Sequence, residues 1–241
     1  MGIDFCPGSQ KFRQPKTEEV KCPSCGYEVE AWSDEVQAIC PKCKNKILRI
    51  SDEASCLDWC KEAQRCVGTD IYNKYLHNKA ITLKDKLLKE LGDYFGPDTK
   101  RINHAKKVLG YAQTLLKKEQ AGWHIVIPAA ILHDVGIKIS EEKYGSSAGI
   151  YQEKEGPEIA KKILLKMNFN KKDIDEICEI IAHHHTPGKV DTLNFKVLYD
   201  ADWLVNLKDE TDIKDKKKLR QAIGRIFLTK SGKELAERLY L

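Results

Sequence analysis

Ile131-Leu132-His133-Asp134-Val135-Gly136 is the stretch on which the reading of this chain turns. An apolar segment ends in an adjacent histidine and aspartate. A carboxylate buried at such a place is costly unless it is paired or bound to a cation. A nitrogen and an oxygen donor side by side suit a borderline or hard transition metal. The dipeptide alone is common, so its weight depends on what lies up and down the chain.

Upstream, residues 101–118 place Ile102, Ala105, Val108, Leu109, Ala112, Leu115 and Leu116 at helical spacing. His104 falls on the flank of that stripe with Val108, Tyr111 and Leu115. Its plain alternative is an ordinary core histidine. Downstream, Asp202 in Tyr199-Asp200-Ala201-Asp202-Trp203-Leu204 shares a helix face with Leu198, Ala201 and Val205. A carboxylate in such a stripe needs a cation nearby. Asp200 falls on another face and is the poorer ligand. Between them, His183-His184-His185 closes a helical stretch over 173–185. Periodicity from Ile174, Ile177 and Ile181 turns His184 and His185 inward.

The surrounding pattern is helical from about residue 81. Pro128 and Pro157 each suit the first turn of a helix, and a last helical stretch over 215–240 breaks near Ser231-Gly232. The expected class is mainly α, with a small β module in front. No internal repeat is evident. The expected division is 1–50, 51–80 and 81–241.

The front module is set by cysteine. Eight of the nine cysteines lie before residue 67. Cys22-Pro-Ser-Cys25 and Cys40-Pro-Lys-Cys43 are two CxxC pairs, and two such pairs supply the four thiolates of a tetrahedral structural zinc. The pattern resembles a rubredoxin-like zinc ribbon, and a closed four-sulfur site leaves no open position for chemistry. Cys6, Cys56, Cys60 and Cys66 are a candidate second site, for zinc or an iron–sulfur cluster, with partly buried helical cysteines as the alternative.

Residues 1–66 carry ten Lys and Arg against eleven Asp and Glu; the remainder carries 31 against 25. The cysteine-rich end is therefore not a basic arm of the kind that binds nucleic acid non-specifically. No apolar run approaches the roughly 20 residues a membrane span requires. Nothing at the N-terminus reads as a signal peptide, so the expected location is cytoplasmic.

The order His104, His133-Asp134, Asp202 resembles the HD-domain phosphohydrolase superfamily, over roughly residues 85–210. Arg101-Ile-Asn-His104 is similar to its opening helix. Ala201-Asp202-Trp203-Leu204-Val205-Asn206 is similar to a segment of the stringent-response nucleotide hydrolases. The resemblance implies a bundle of helices holding manganese, iron, cobalt or nickel through His104, His133, Asp134 and Asp202. It also implies hydrolysis of a phosphoester or phosphoanhydride in a small phosphorylated substrate, a nucleotide among the candidates. In two-metal relatives such as the HD-GYP phosphodiesterases a His-His pair at the position of His183 and His184 binds additional metal. Here Gln152 stands where those relatives carry another histidine, and Ile137 where they carry lysine. One firmly held metal is therefore expected. Asp134, His184, His183, Lys138 and Arg101 are the expected catalytic set, the last two as phosphate binders or as ordinary exposed charges. The competing functions are a non-catalytic adaptor or sensor that uses the ribbon to contact protein or nucleic acid, and a metal-dependent oxygenase, which the missing histidine disfavours.

Overall fold

A computed structural model of the chain describes residues 14–35, 37–48, 56–211 and 215–241. The described chain is mainly helical and divides into two compact units, Met1–Asp85 and Lys86–Leu241.

In the first unit, β1 (Thr17–Lys21) pairs antiparallel with β2 (Glu28–Trp32), with Val20 opposite Val29. β3 (Gln37–Ile39) pairs likewise with β4 (Lys46–Leu48), with Ala38 opposite Ile47. Strand alternation turns Val29 and Ala31 inward and leaves Glu28, Glu30 and Trp32 outside. Each hairpin carries a CPxC turn at its tip, and the two turns repeat one another bond for bond. Cys22 N donates to Tyr27 O and Gly26 N to Cys22 O; Cys40 N donates to Asn45 O and Lys44 N to Cys40 O. Gly26 and Lys44 occupy equivalent places with φ of +70° and +61°. The ribbon is thus a two-fold repeat, contrary to the sequence reading. The repeat is too short, and too diverged outside Cys-Pro-x-Cys, to stand out as a period.

Cys22, Val29, Cys40 and Ile47 form the small core between the hairpins. A second cluster gathers Leu57, Ala63, Cys66, Val67 and Tyr75, with Cys60, Ile71, Tyr72 and Leu76 against it. These residues come from the short helices α1 (Cys56–Trp59) and α2 (Ala63–Val67) and from the start of α3 (Thr69–Phe95). The helical character expected of 51–80 is thus present, and the long α3 runs through residue 81 without a break. Cys60 and Cys66 are packed as hydrophobic residues in this cluster, and among the described residues they join no group of metal donors. Cys6 and the side chain of Cys56 lie outside the described residues.

The second unit is built around α5 (Trp123–Leu132), in which every residue from Ile125 to Leu132 is buried. A helix apolar all round must be enclosed. It is packed by α4 (Thr99–Leu116), α8 (Lys171–Ile181) and α9 (Leu193–Glu210). Pro128 lies inside α5, and Pro157 lies inside α7 (Gly149–Lys166), not at their starts. Each proline removes one backbone donor from its helix; in these two elements tertiary packing outweighs that loss.

α6 (Gly136–Tyr144) follows the His133-Asp134 turn and packs on α7. Gly136 permits that approach: a Cβ there would stand 2.4 Å from Gln152 O and 2.8 Å from Gly156 N. Both obstacles are backbone and cannot rotate away. Gly136→Ala is therefore expected to cost about 3 kcal/mol, read as a lower urea midpoint with an unchanged m-value.

The chain closes with α10 (Lys216–Ile226) and α11 (Lys230–Tyr240). The break falls at 227–229, slightly before Ser231-Gly232. Thr229 caps α11 by accepting from Gly232 N. The fully buried Asp200 holds this corner, accepting from Leu228 N, Thr229 N and Thr229 Oγ1 at 2.7–2.8 Å. It has a structural role in the fold.

Candidate metal centre

Three helices deliver the candidate ligands. The end of α5 presents His133, followed at once by Asp134 in the turn before α6. The first turns of α4 present His104, and the middle of α9 presents Asp202. His104 Nε2 lies 3.1 Å from Asp202 Oδ1, 3.3 Å from His133 Nε2 and 3.5 Å from Asp134 Oδ2. His133 Nε2 is 3.4 Å from Asp134 Oδ2 and 3.6 Å from Asp202 Oδ1. Donor atoms about 2.1 Å from a common ion stand roughly 3.0 Å apart at right angles and roughly 3.4 Å apart at the tetrahedral angle. His104, His133 and Asp134 form one three-donor group whose separations are those of atoms around one cation, and Asp202 Oδ1 lies beside both imidazoles.

The hydrogen bonds outside the group set its orientation. His133 Nδ1 donates to Ala130 O at 3.0 Å, which turns Nε2 inward. Asn206 Nδ2 donates to Asp202 Oδ1 at 2.9 Å from one helical turn away. Such outer bonds fix the tautomer and direction of metal ligands. Two imidazole Nε2 atoms facing each other at 3.3 Å, with carboxylates on either side, leave a place that a shared proton or a cation fits. Burial opposes charge on His133, but Asp134 and Asp202 overcome it and push its pKa up to about 9. Asp134 is held well below the usual carboxylate range, against its burial, by His133 and His184. A divalent cation must displace the His133 proton. Apparent metal affinity should rise about tenfold per pH unit up to about pH 9, measurable as proton release by titration calorimetry in two buffers.

A second group shares Asp134. Its Oδ1 is 3.6 Å from His184 Nε2, and His185 lies close enough to complete a three-donor set. His184 Nδ1 donates to Ile181 O at 2.7 Å, and its Nε2 is buried without a hydrogen-bond partner. An orphaned nitrogen facing a carboxylate also fits a cation or a substrate proton. His185 Nε2 sits 3.4 Å from Gln152 Oε1, and Gln152 is anchored on Ser147 O. Glu153 accepts from His185 N and Thr186 Oγ1, each at 2.9 Å. His183 belongs to neither group; it is half-buried in the turn that follows α8.

Arg101 and Lys138 are engaged elsewhere. Arg101 pairs with Asp98 and, at 2.6 Å, with Glu141. Lys138 Nζ donates to Tyr94 O at 3.2 Å and lies over the Tyr94 ring. Glu153 was not foreseen; nothing local in the sequence marks a carboxylate that caps a distant turn.

In the ribbon, Cys22 Sγ is 3.6 Å from Cys43 Sγ, and Cys25 Sγ is 3.6 Å from Cys40 Sγ. Four sulfurs about 2.3 Å from a tetrahedral zinc stand roughly 3.8 Å apart. Burial works against ionising Cys22, yet the Ser24 and Cys25 amides bring its thiol down to about 6. Both clusters thus fit metal sites.

Residues 101–207 match the model of the HD domain family. The crystal structure of a predicted HD superfamily hydrolase from an uncultured Thermotogales bacterium is similar at 25% identity. The likeness covers 65% of this chain and 84% of that one, with a TM-score of 0.49. No curated protein matches the chain. Among the described residues no helix is long and apolar enough to cross a membrane. Residues 101–207 thus match the HD domain, behind a four-cysteine module of the zinc-ribbon type.

Proposed function

We propose that the protein is a metal-dependent phosphohydrolase that cleaves a phosphoester or phosphoanhydride, with nucleotides and their polymers among the candidate substrates. The reading rests on one observation: His104 and His133 oppose their Nε2 atoms at 3.3 Å between the carboxylates of Asp134 and Asp202, inside an HD domain. His104, His133, Asp134 and Asp202 would hold a divalent transition metal such as manganese, iron, cobalt or nickel. When bound, such an ion supplies Lewis acidity toward a phosphoryl oxygen and makes water a nucleophile at neutral pH.

The chain's own groups do the remainder. Asp134 and Asp202 compensate the cation. Asn206 and Ala130 O keep their ligands aligned. His184, with its proton on Nδ1 and a bare Nε2 toward Asp134, can accept a proton at Nε2 and return it to the leaving oxygen. His185, steadied by Gln152 and Glu153, borders the same space. Arg101 contributes by tying the start of α4 to α6 through Glu141.

The test is a panel of phosphomonoesters, phosphodiesters and nucleotides, given to protein stripped and reloaded with each metal. Phosphate or alcohol release that tracks metal content is expected. Silence across the panel with one metal per HD domain bound would favour the adaptor reading. His184→Gln should lower kcat by about 10²–10⁴-fold while leaving metal content unchanged, as measured by steady-state kinetics and element analysis.

A further inference from the structure

We infer that the substrate of this site is single-stranded nucleic acid, its backbone running along the outer face of α4 past His104. This rests on the hydrolase reading above and narrows it.

From Thr99 to Lys118 the chain has six lysines and arginines and no aspartate or glutamate. Helix stability does not explain that composition. Lys100 and Arg101 stand in the first turn, where the helix dipole favours acids. Lys106 and Lys107 have no acidic neighbour three or four residues away to pair with. Among the described residues the lysine and arginine ion pairs of this segment are those of Arg101 and Lys118, so Lys100, Lys106 and Lys107 present their charge to solvent.

Their placement follows from helical spacing. Lys100, Asn103, Lys107 and Gly110 form one row on the face that adjoins His104. Lys100 lies one turn before His104 and Lys107 one turn after it, about 10 Å apart along the axis. Cations on both sides of a metal-ligating ring fit a substrate whose charge extends both ways from the scissile phosphorus. A terminal phosphate extends one way only. Tyr111, two turns beyond His104 on the same flank and half-buried, offers a ring edge for a base. Inorganic polyphosphate has no use for such a ring.

Gly110 closes this row. It is exposed in the middle of α4, and a Cβ there would meet nothing within 4 Å. Packing does not call for glycine, and glycine weakens a helix interior. A backbone can approach the helix closely at Gly110, as it can at the equally open Gly224 of α10.

The experiment uses the full, metal-loaded chain and a fluorescein-labelled oligonucleotide of about ten residues, with inorganic polyphosphate and a mononucleotide as competitors. Fluorescence anisotropy across a salt series is expected to show a Kd that rises steeply with salt. In Lys100→Gln/Lys107→Gln the affinity should fall about tenfold or more and the slope of log K against log salt should flatten by about 1.4. Circular dichroism and metal content check that the variant is folded. Gly110→Ala should raise Tm and still weaken oligonucleotide binding, a combination that a merely structural glycine does not give. Equal affinity of wild type and double variant would overturn the inference, as would displacement of the oligonucleotide by polyphosphate or mononucleotide at equal phosphate concentration. Failure of the wild-type protein to hydrolyse bis-p-nitrophenyl phosphate would count against the hydrolase reading alone.

Discussion

Asp134→Ala is expected to reduce phosphoester turnover on the order of 10³-fold or more, with loss of the HD-site metal and retention of helical circular dichroism. The size of the effect follows from the position of this one carboxylate. Its Oδ2 lies 3.4–3.5 Å from the Nε2 atoms of His133 and His104, and its Oδ1 lies 3.6 Å from His184 Nε2. Removing it takes an anionic ligand from the metal group and leaves His184 with nothing opposite. It also removes the charge that most favours a cation at His133. The fold should survive, because Asp134 lies in the turn between α5 and α6 and the apolar body of α5 is untouched. Kinetics and element analysis on the same sample decide the matter. A variant that kept both metal and turnover would exclude the four-ligand scheme.

Cys40→Ser is expected to have the largest effect on stability, confined to the ribbon. Cys40 is fully buried, and with Cys22, Val29 and Ile47 it makes up the core between the two hairpins. Two short two-stranded sheets bury too little apolar surface to hold themselves together. A structural zinc contributes about 10–16 kcal/mol of binding free energy in small zinc-dependent modules, and loss of one thiolate forfeits most of it. The expected result is one zinc fewer per chain and rapid proteolysis within residues 14–48. The helical signal of the remainder should be retained. A variant that kept its zinc and its protease resistance would show that the cysteines do not form a structural site.

Much of the molecule could be read from its residues. The apolar periodicity around His104 and Asp202 gave their helices and the inward faces, and the two Cys-Pro-x-Cys turns gave the ribbon. Helix starts were less legible. Pro128 and Pro157 looked like opening residues because a proline costs nothing in a first turn, whereas here they sit in helix interiors. Asp200 could be set apart from Asp202 by its angular position, but its task could not: it caps a corner formed by Leu228 and Thr229 from a different part of the chain.

The sequence by itself determined the helical class, the cysteine module and the order of the metal-seeking side chains. These depend on local spacing, and a helix or a CxxC turn forms by local rules. Periodicity from Ile174, Ile177 and Ile181 singled out His184 and His185, and these are the two that approach Asp134. Only the tertiary structure decided that Asp134 is what they face, because that carboxylate comes from a turn elsewhere in the chain. The tertiary structure alone decided that Arg101, besides its local partner Asp98, pairs with Glu141 and that Lys138 reaches Tyr94 O. An ion pair between distant segments is a property of packed elements, and no spacing along one of them encodes it.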